Sequence, residues 1–181
     1  MIKYQKFSQR KKERFYKVGI FSKLFKTPGD VLASPAEGKT IDISEVPDPT
    51  FSEGILGKGI AIIPTGNTVY SPCDGTIDLM FDTGHAVNII SDTGAEILIH
   101  IGLETVSLKG KHFKTFMNSG DKVKKGDKLI EFERQAIADE GFNTVIPMVI
   151  CNSDAYEEIT PEPGKDVVPG DTIITLKKQG A

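Results

Sequence analysis

The chain has 181 residues, of which 39% are hydrophobic and 26% are charged. This composition is typical of one soluble globular domain and excludes wholesale disorder, and no apolar stretch approaches the ~18 residues that would cross a bilayer. The formal net charge of -3 is unevenly distributed. Residues 1–26 carry nine Lys and Arg against one Glu, a net charge of +8, whereas the rest carries 13 basic and 24 acidic side chains, a net charge of −11. We therefore predict a basic tail at 1–26 and an acidic body at 27–181.

The tail contains a short amphipathic segment before Pro28 and Gly29. A helix from Lys17 to Lys26 would place four apolar side chains on one face, namely Val18, Phe21, Leu24 and Phe25. A basic amphipathic helix is suited to an anionic membrane surface, whereas residues 1–14 are typical of a solvated, disordered tail. Because the body is acidic, we expect no binding to nucleic acid.

The tail also lacks the apolar core and cleavage site of a secretory signal, so we expect a cytoplasmic protein. Cys73 and Cys151 are far apart in the sequence and have no metal-ligand spacing. We expect two reduced, buried thiols rather than a disulfide.

The body consists of short apolar runs separated by Gly, Pro, Asp and Ser, which predicts an all-β fold, an antiparallel β-sandwich or barrel with a few short helical turns. Helical periodicity is confined to His112–Asn118 and Glu133–Glu140. The predicted strands are Gly59–Ile63, Thr68–Tyr70, Gly75–Phe81, Ala86–Ser91, Glu96–Ile101, Lys128–Phe132, Thr144–Ile150 and Thr172–Leu176.

Two pairs of segments resemble each other within the body. The sequence from Ser34 to Asp42 is similar to that from Ser71 to Asp78, with one residue deleted. The sequence from Val123 to Ile130 is similar to that from Val167 to Ile174, and in both a Gly-Asp turn precedes an apolar strand. For either similarity alone, the chance recurrence of a common turn is as good an explanation as duplication. The two similarities together favour a duplicated, pseudo-symmetric β unit.

Two of the three histidines flank the turn at Ser91–Gly94. A two-residue loop at Asp92-Thr93 would place His85 directly opposite His100 on antiparallel strands, with Cβ atoms about 4.5–5.5 Å apart. A three-residue loop would instead shift the register by one residue and place them on opposite faces unless a bulge restored the pairing. An apolar strand around His100 would favour its neutral imidazole.

Two chemistries use a pair of close imidazoles. In phosphoryl transfer one ring attacks phosphorus while the other donates a hydrogen bond to the phosphoryl oxygens. In a zinc hydrolase both rings bind the metal together with a third ligand. Glu96 is a candidate, because it is four residues from His100 and would lie on the same face of the strand. No His-x-His or His-Glu-x-x-His motif is present, so the hydrolase is the weaker interpretation. If His100 is considered without His85, the alternative is a core histidine whose ring nitrogens are hydrogen-bonded and that has no chemical role.

The sequence around these histidines resembles the glucose-type enzyme IIA component of the bacterial phosphoenolpyruvate-dependent sugar phosphotransferase system. The resemblance covers residues 30–176, and its most specific string is Ile97–Val106 with a second histidine fifteen residues before His100. It implies an antiparallel β-sandwich that acts as a phosphocarrier. His100 would accept a phosphoryl group from the histidine-containing phosphocarrier protein and pass it to a cysteine of a sugar-specific IIB or IIBC component.

The resemblance also implies roles for the surrounding residues. His85 would support the phosphoryl oxygens, Thr83 would orient His85, and the backbone at Gly102 would add hydrogen-bond donors. The partners would dock on a shallow apolar depression with an acidic rim at Asp48 and Glu104. The apolar residues of that depression would be Phe51, Leu56, Phe81, Val87 and Val106, although ordinary core is an equal interpretation for Val87.

Transfer itself would require no cofactor. In some relatives the paired histidines also bind zinc at a regulatory interface. The resemblance therefore implies that His85 and His100 could bind zinc in the same way. The segment Gly19–Phe25 is similar to an amino-terminal segment of enteric relatives that is associated with anionic membranes. A regulatory binding module that has lost transfer is a third, weaker alternative.

Overall fold

The computed structural model describes residues 30–180, which form one compact unit. The predicted basic tail at 1–26 lies outside the described residues. Two α-helices are present in the described part, α1 (Pro49–Ser52) and α2 (Arg134–Asp139), with single 3-10 turns at Ile43–Glu45, Thr105–Leu108 and Ser153–Ala155. None of the described helices is long and apolar enough to cross a membrane.

The rest of the described chain is built from short strands. In chain order they are β1 (Asp30–Ala33), β2 (Gly38–Asp42), β3 (Lys58–Pro64), β4 (Thr68–Tyr70), β5 (Gly75–Met80), β6 (Ala86–Ser91), β7 (Glu96–His100), β8 (Phe113–Thr115), β9 (Lys122–Val123), β10 (Lys128–Phe132), β11 (Ile146–Ile150), β12 (Tyr156–Pro161), β13 (Asp166–Val167) and β14 (Thr172–Lys178). The all-β prediction is confirmed, and the predicted strands agree with the observed ones to within two residues at each end.

The strands form one eight-stranded sheet and two three-stranded sheets. The large sheet has the order β13-β2-β3-β11-β7-β6-β5-β9, and the small sheets have the orders β1-β14-β12 and β4-β10-β8. All the pairings are antiparallel. The strands β11 and β7 lie at the middle of the large sheet, and Ile97–Ile99 of β7 pair with both β11 and β6.

The predicted duplication is visible in the hydrogen bonds of the two halves. Ser34 Oγ donates to the carbonyl of Ala36, and Ser71 Oγ donates to the carbonyl of Cys73, both at 2.7 Å. Correspondingly, β13 pairs with β2 at one edge of the large sheet and β9 pairs with β5 at the other. The segments that resemble each other in sequence therefore occupy equivalent positions at the two edges of the large sheet.

One helical prediction is correct and one is wrong. Residues Glu133–Glu140 contain α2, as predicted. The segment His112–Asn118 instead contains strand β8, because Phe113 and Thr115 pair with β10 in the small sheet. Sheet pairing here overrides a weak local periodicity.

The core lies on two faces of the large sheet. The main cluster includes Ile97 and Ile99 of β7, packed with apolar residues of both small sheets. A second cluster covers the other face and contains Phe51, Leu103 and Val149. Because successive strand residues alternate between faces, His100 lies on the side of the second cluster with half-buried Leu98.

The two cysteines are both free thiols. Cys73 is buried, as expected, and burial raises its pKa to about 12. Cys151 is exposed, so the prediction of a buried thiol is wrong at this position. It directly follows β11, where the chain leaves the sheet.

Candidate functional site

The register of the β6–β7 hairpin decides between the two loop lengths that the sequence left open. Ala86, not His85, lies opposite His100, and Ile90 lies opposite Glu96. The loop is therefore the three-residue alternative, Asp92–Gly94, closed by a hydrogen bond from Ser91 N to the carbonyl of Ala95. The two-residue loop, which would have placed His85 directly opposite His100, is not formed.

The two histidines nevertheless meet, because His85 lies just before the first residue of β6. The preceding Gly84 has φ of 64°, a left-handed conformation that glycine adopts readily, so the pleat alternation does not fix the His85 side chain. The ring centroids of His85 and His100 are 5.0 Å apart with an interplanar angle of 78°. A bend before the strand thus restores the contact that the register alone would prevent.

Two phenylalanines extend the pair into a row of four rings. Phe51 lies 5.5 Å from the His100 ring and Phe81 lies 5.2 Å from the His85 ring, both in edge-to-face orientation. Such aromatic contacts are favourable and restrict the orientation of the rings they touch. The row therefore holds both imidazoles between apolar walls.

The hydrogen bond made by His100 fixes its tautomer. Its Nδ1 lies 2.7 Å from the carbonyl oxygen of Gly102, and a carbonyl oxygen only accepts, so Nδ1 carries the proton. Burial lowers the pKa of His100, while the Gly102 hydrogen bond and the charges of Asp48 and Glu104 act in the opposite direction. The neutral ring then has its lone pair at Nε2, which makes this atom a nucleophile.

His85 is held by a side-chain hydrogen bond. Thr83 Oγ1 lies 2.5 Å from His85 Nδ1, and the His85 residue is only 5% exposed. Burial, followed by the neighbouring His100, lowers the pKa of His85 to about 4. Both rings are therefore neutral at physiological pH, which allows them to lie together without charge repulsion.

The loop after β7 is closely packed at Gly102, with Thr105 and Asn143 as its near neighbours. Gly102 has φ of 75°, and a Cβ built there would lie 2.6 Å from the Thr105 methyl carbon and 2.8 Å from the Asn143 carbonyl oxygen. Thr105 is fully buried and donates from Oγ1 to the Ile101 carbonyl at 2.6 Å. The Ile97–Val106 string contains Thr105, but the sequence alone assigns no role to it. Asn143 belongs to no motif, so sequence reasoning missed it.

One role assigned to Gly102 by the resemblance is wrong in this structure. The Gly102 N–H donates to the Val145 carbonyl at 2.9 Å, so it is already used within the fold. Gly102 contacts His100 through its carbonyl, as an acceptor. Its part in the site is to orient His100 rather than to donate to a phosphoryl group.

The expected apolar depression is only partly on the surface. Val106 is 51% exposed, while Leu56 and Phe81 are half-buried. Phe51 is 4% exposed and contacts His100 from within the second cluster. Val87 is fully buried in the main core on the other face, so it offers no surface to a partner, and that prediction is wrong.

The expected rim acids lie near His100, since both act on its pKa. Asp48 caps α1 by accepting a hydrogen bond from Thr50 N at 2.8 Å, and Glu104 is exposed with φ of 59°. Sequence reasoning missed Ile55, which follows α1 and is 68% exposed. Its exposure depends on the loop after the helix, which no apolar pattern predicts.

No third metal ligand accompanies the histidine pair within residues 30–180, where no group of three or more His, Cys, Asp or Glu is suited to a metal ion. Glu96 lies at the start of β7, four residues from His100, which is about 13 Å along a strand. His112 lies elsewhere, where it bridges Glu133 and Glu140 at 2.6 and 2.7 Å.

The chain matches known proteins over most of this domain. The family model described as phosphoenolpyruvate-dependent sugar phosphotransferase system, EIIA 1, matches residues 30–156. The glucose-specific EIIA component of Bacillus anthracis is 43% identical over 159 residues, which cover 86% of this chain and 96% of that relative. The β-glucoside-specific EIIBCA component of Dickeya chrysanthemi is 43% identical over 132 residues, which cover 73% of this chain and 21% of that relative.

A solved structure matches the fold. The glucose permease IIA of Mycoplasma capricolum aligns with a TM-score of 0.78 at 33% sequence identity, covering 83% of this chain and 97% of that one. The sequence, the fold and the paired histidines thus agree with one another. The chain belongs to the EIIA 1 family of the phosphoenolpyruvate-dependent sugar phosphotransferase system.

Proposed function

We propose that this protein is a phosphocarrier in which His100 accepts a phosphoryl group from the histidine-containing phosphocarrier protein and passes it to a cysteine of a sugar-specific IIB or IIBC component. The observation that carries the proposal is the tautomer of His100. Its Nδ1 donates to the Gly102 carbonyl, which leaves the Nε2 lone pair for attack.

The transfer balances without an added base. The Nε2 lone pair of His100 forms a bond to phosphorus as the bond from phosphorus to the donor histidine nitrogen breaks, and the donor ring keeps that electron pair. The His100 ring then carries a proton on Nδ1 and a positive charge. The Gly102 carbonyl and the nearby carboxylates of Asp48 and Glu104 stabilise this charge.

His85 would support the phosphoryl oxygens. When the Thr83 hydroxyl donates to His85 Nδ1, the proton of the neutral ring lies on Nε2, where it becomes a hydrogen-bond donor. A donor fixed before reaction stabilises developing negative charge better than one that must reorient. Thr83 thus acts as a positioning residue for His85.

The surroundings of the histidines suit protein partners. Ile55 and Val106 are exposed apolar side chains that follow α1 and β7 in the chain. Asp48 and Glu104 add negative charge near His100, which favours association with basic partners at low salt. The EIIBCA relatives, in which this segment accounts for about a fifth of the chain, support a IIB or IIBC acceptor.

We further place the protein in the cytoplasm, with its basic tail at 1–26 near anionic membranes. Contacts with regulatory target proteins also remain a prediction, as does zinc held by His85 and His100 together with a partner carboxylate.

Phosphorylation in a reconstituted system tests the proposal. The protein is incubated with phosphoenolpyruvate, enzyme I and the histidine-containing phosphocarrier protein, and its mass is measured. We expect an increase of one phosphoryl group in the wild type and none in His100→Ala. His85→Ala should accept the group but fail to pass it to a IIB component.

The alternatives give different results. An unlabelled wild type would overturn the phosphocarrier proposal and favour a binding module that has lost transfer. Stoichiometric zinc together with hydrolytic turnover would favour the hydrolase, for which the described residues bring no third ligand to the histidine pair.

A further inference from the structure

A second candidate binding site lies away from the histidine pair, where α2 meets the small sheet β4-β10-β8. The cavity there has a volume of about 690 Å³, within the range of about 300–1,000 Å³ that is typical of small-molecule sites. None of its lining residues belongs to the site around His85 and His100. Its polar lining includes Asn67, Thr68, His112, Lys114, Arg134 and Gln135.

The charges around this cavity differ in sign from those of the body. His112 must be an imidazolium, because both ring nitrogens contact carboxylate oxygens, which only accept. The charged residues that line the cavity are then three cations, His112, Lys114 and Arg134, and two carboxylates, Glu131 and Glu133, a net charge of +1. The body as a whole has a net charge of −11.

The carboxylates are already matched by cations. Glu131 pairs with Lys128, and Glu133 and Glu140 pair with His112. Within residues 30–180, neither Lys114 nor Arg134 forms an ion pair; the Lys114 ammonium lies 5.0 Å from the Phe116 ring centroid. Two cations that line the cavity are therefore available to an anion.

Arg134 provides an independent sign that an acceptor is missing. Its Nε is shielded from solvent and has no hydrogen-bond partner among the described residues. A buried guanidinium N–H without an acceptor is unfavourable. Because Nε is shielded, the Arg134 side chain would have to turn towards the cavity for a tetrahedral anion to supply that acceptor. Nε and a terminal nitrogen together then match two phosphate oxygens.

We propose that this cavity binds a small hydroxylated metabolite that carries a phosphate group. The phosphate contacts Arg134 and Lys114. The side chains of Asn67, Thr68 and Gln135 supply donors and acceptors for the hydroxyl groups, and the apolar wall at Phe113 packs against the carbon skeleton. The inference does not depend on phosphorylation of His100, because the two sites share no residue.

Isothermal titration of the full chain with glucose 6-phosphate, inorganic phosphate and glucose tests the proposal. We expect glucose 6-phosphate to bind with a millimolar or lower Kd, inorganic phosphate to bind more weakly, and glucose alone not to bind. Arg134→Gln should weaken binding of glucose 6-phosphate about tenfold or more, because it removes the charge-assisted pair. Lys165→Gln is the matched control, since it removes one exposed cation outside the cavity lining.

Circular dichroism establishes that each variant is folded, and Lys114→Gln replaces Arg134→Gln as the test if the latter does not fold. Chemical shifts of the backbone amides of Asn67 and Gln135 should move on titration and localise the ligand. Absence of glucose 6-phosphate binding to the wild type at millimolar concentration would overturn the proposal. Equal affinity in the cavity variant and the Lys165→Gln control would do the same.

Discussion

Nδ1 of His100 donates a hydrogen bond to the carbonyl oxygen of Gly102 at 2.7 Å, and this contact leaves the lone pair of the neutral ring at Nε2. The carbonyl is placed by a left-handed backbone at Gly102, whose own N–H donates to the Val145 carbonyl. The tautomer of His100 is thus set by the loop after β7 rather than by another side chain.

Gly102→Ala should destabilise the fold. A Cβ would lie 2.6 Å from the Thr105 methyl carbon and 2.8 Å from the Asn143 carbonyl, at a φ of 75° that disfavours side chains. We expect a loss of about 3 kcal/mol in the free energy of unfolding, measured by urea denaturation. Gly94→Ala is the control, since φ there is also positive but its Cβ would meet nothing within 4 Å. Equal losses in the two variants would contradict the steric part of this explanation.

Thr83→Val should slow passage of the phosphoryl group by about tenfold to a hundredfold, because His85 loses the hydrogen bond that sets its tautomer. The rate is measured by single-turnover transfer to a IIB component. Thr83→Ser keeps the hydroxyl and should retain most of the activity. Nitrogen-15 NMR of the His85 ring should show a mixed tautomer in Thr83→Val, and an unchanged tautomer would refute the positioning role.

The buried histidines should make the protein less stable in acid. Burial lowers the pKa of His85 from 6.5 to about 4, so between these values the unfolded chain binds more protons than the folded one. This contribution to stability is present above pH 6.5 and is lost as the pH falls towards 4. Unfolding free energies of the wild type and His85→Gln are compared at several pH values. The advantage of the wild type should shrink on acidification, and a constant difference would contradict the prediction.

His112 should have the opposite effect. Glu140 first and then Glu133 raise the pKa of His112 above 6.5, so the folded chain holds this proton more tightly than the unfolded chain. The contribution is complete below pH 6.5 and is lost as the pH rises through the folded pKa. His112→Asn is the suitable variant, because asparagine tolerates the positive φ of 74°. The NMR titration of the His112 ring should give a midpoint above 6.5, and a lower midpoint would refute the assignment.

Val87→Ala and Val106→Ala form a matched pair that separates core from surface. Val87 is fully buried, so its truncation should cost about 2 kcal/mol of stability. Val106 is 51% exposed, so its truncation should change stability by less than about 0.5 kcal/mol and instead weaken docking of a phosphotransfer partner. Stability is measured by denaturation and docking by the concentration dependence of phosphoryl transfer. A stability loss at Val106 as large as that at Val87 would contradict the assignment.

Much of the fold could be predicted from local pattern. Three predicted strands have the same first and last residues in the structure, because apolar runs between turn residues define strands with little ambiguity. They are Thr68–Tyr70, Ala86–Ser91 and Lys128–Phe132. The segment around Phe113 was misassigned as helical, since its three paired residues depend on β10 rather than on their own sequence. The exposure of Cys151 likewise follows from where β11 ends in space.

The sequence by itself determined the uneven charge, the all-β class and the two histidines fifteen residues apart, because composition and spacing are properties of the chain. Tertiary structure decided the rest of the site. The hairpin register would have separated His85 from His100, and only the bend at Gly84 brings their rings within 5.0 Å. Face alternation placed Val87 in the core, and the loop after β7 turned the Gly102 carbonyl towards His100. These features depend on contacts between distant segments, which local sequence patterns do not specify.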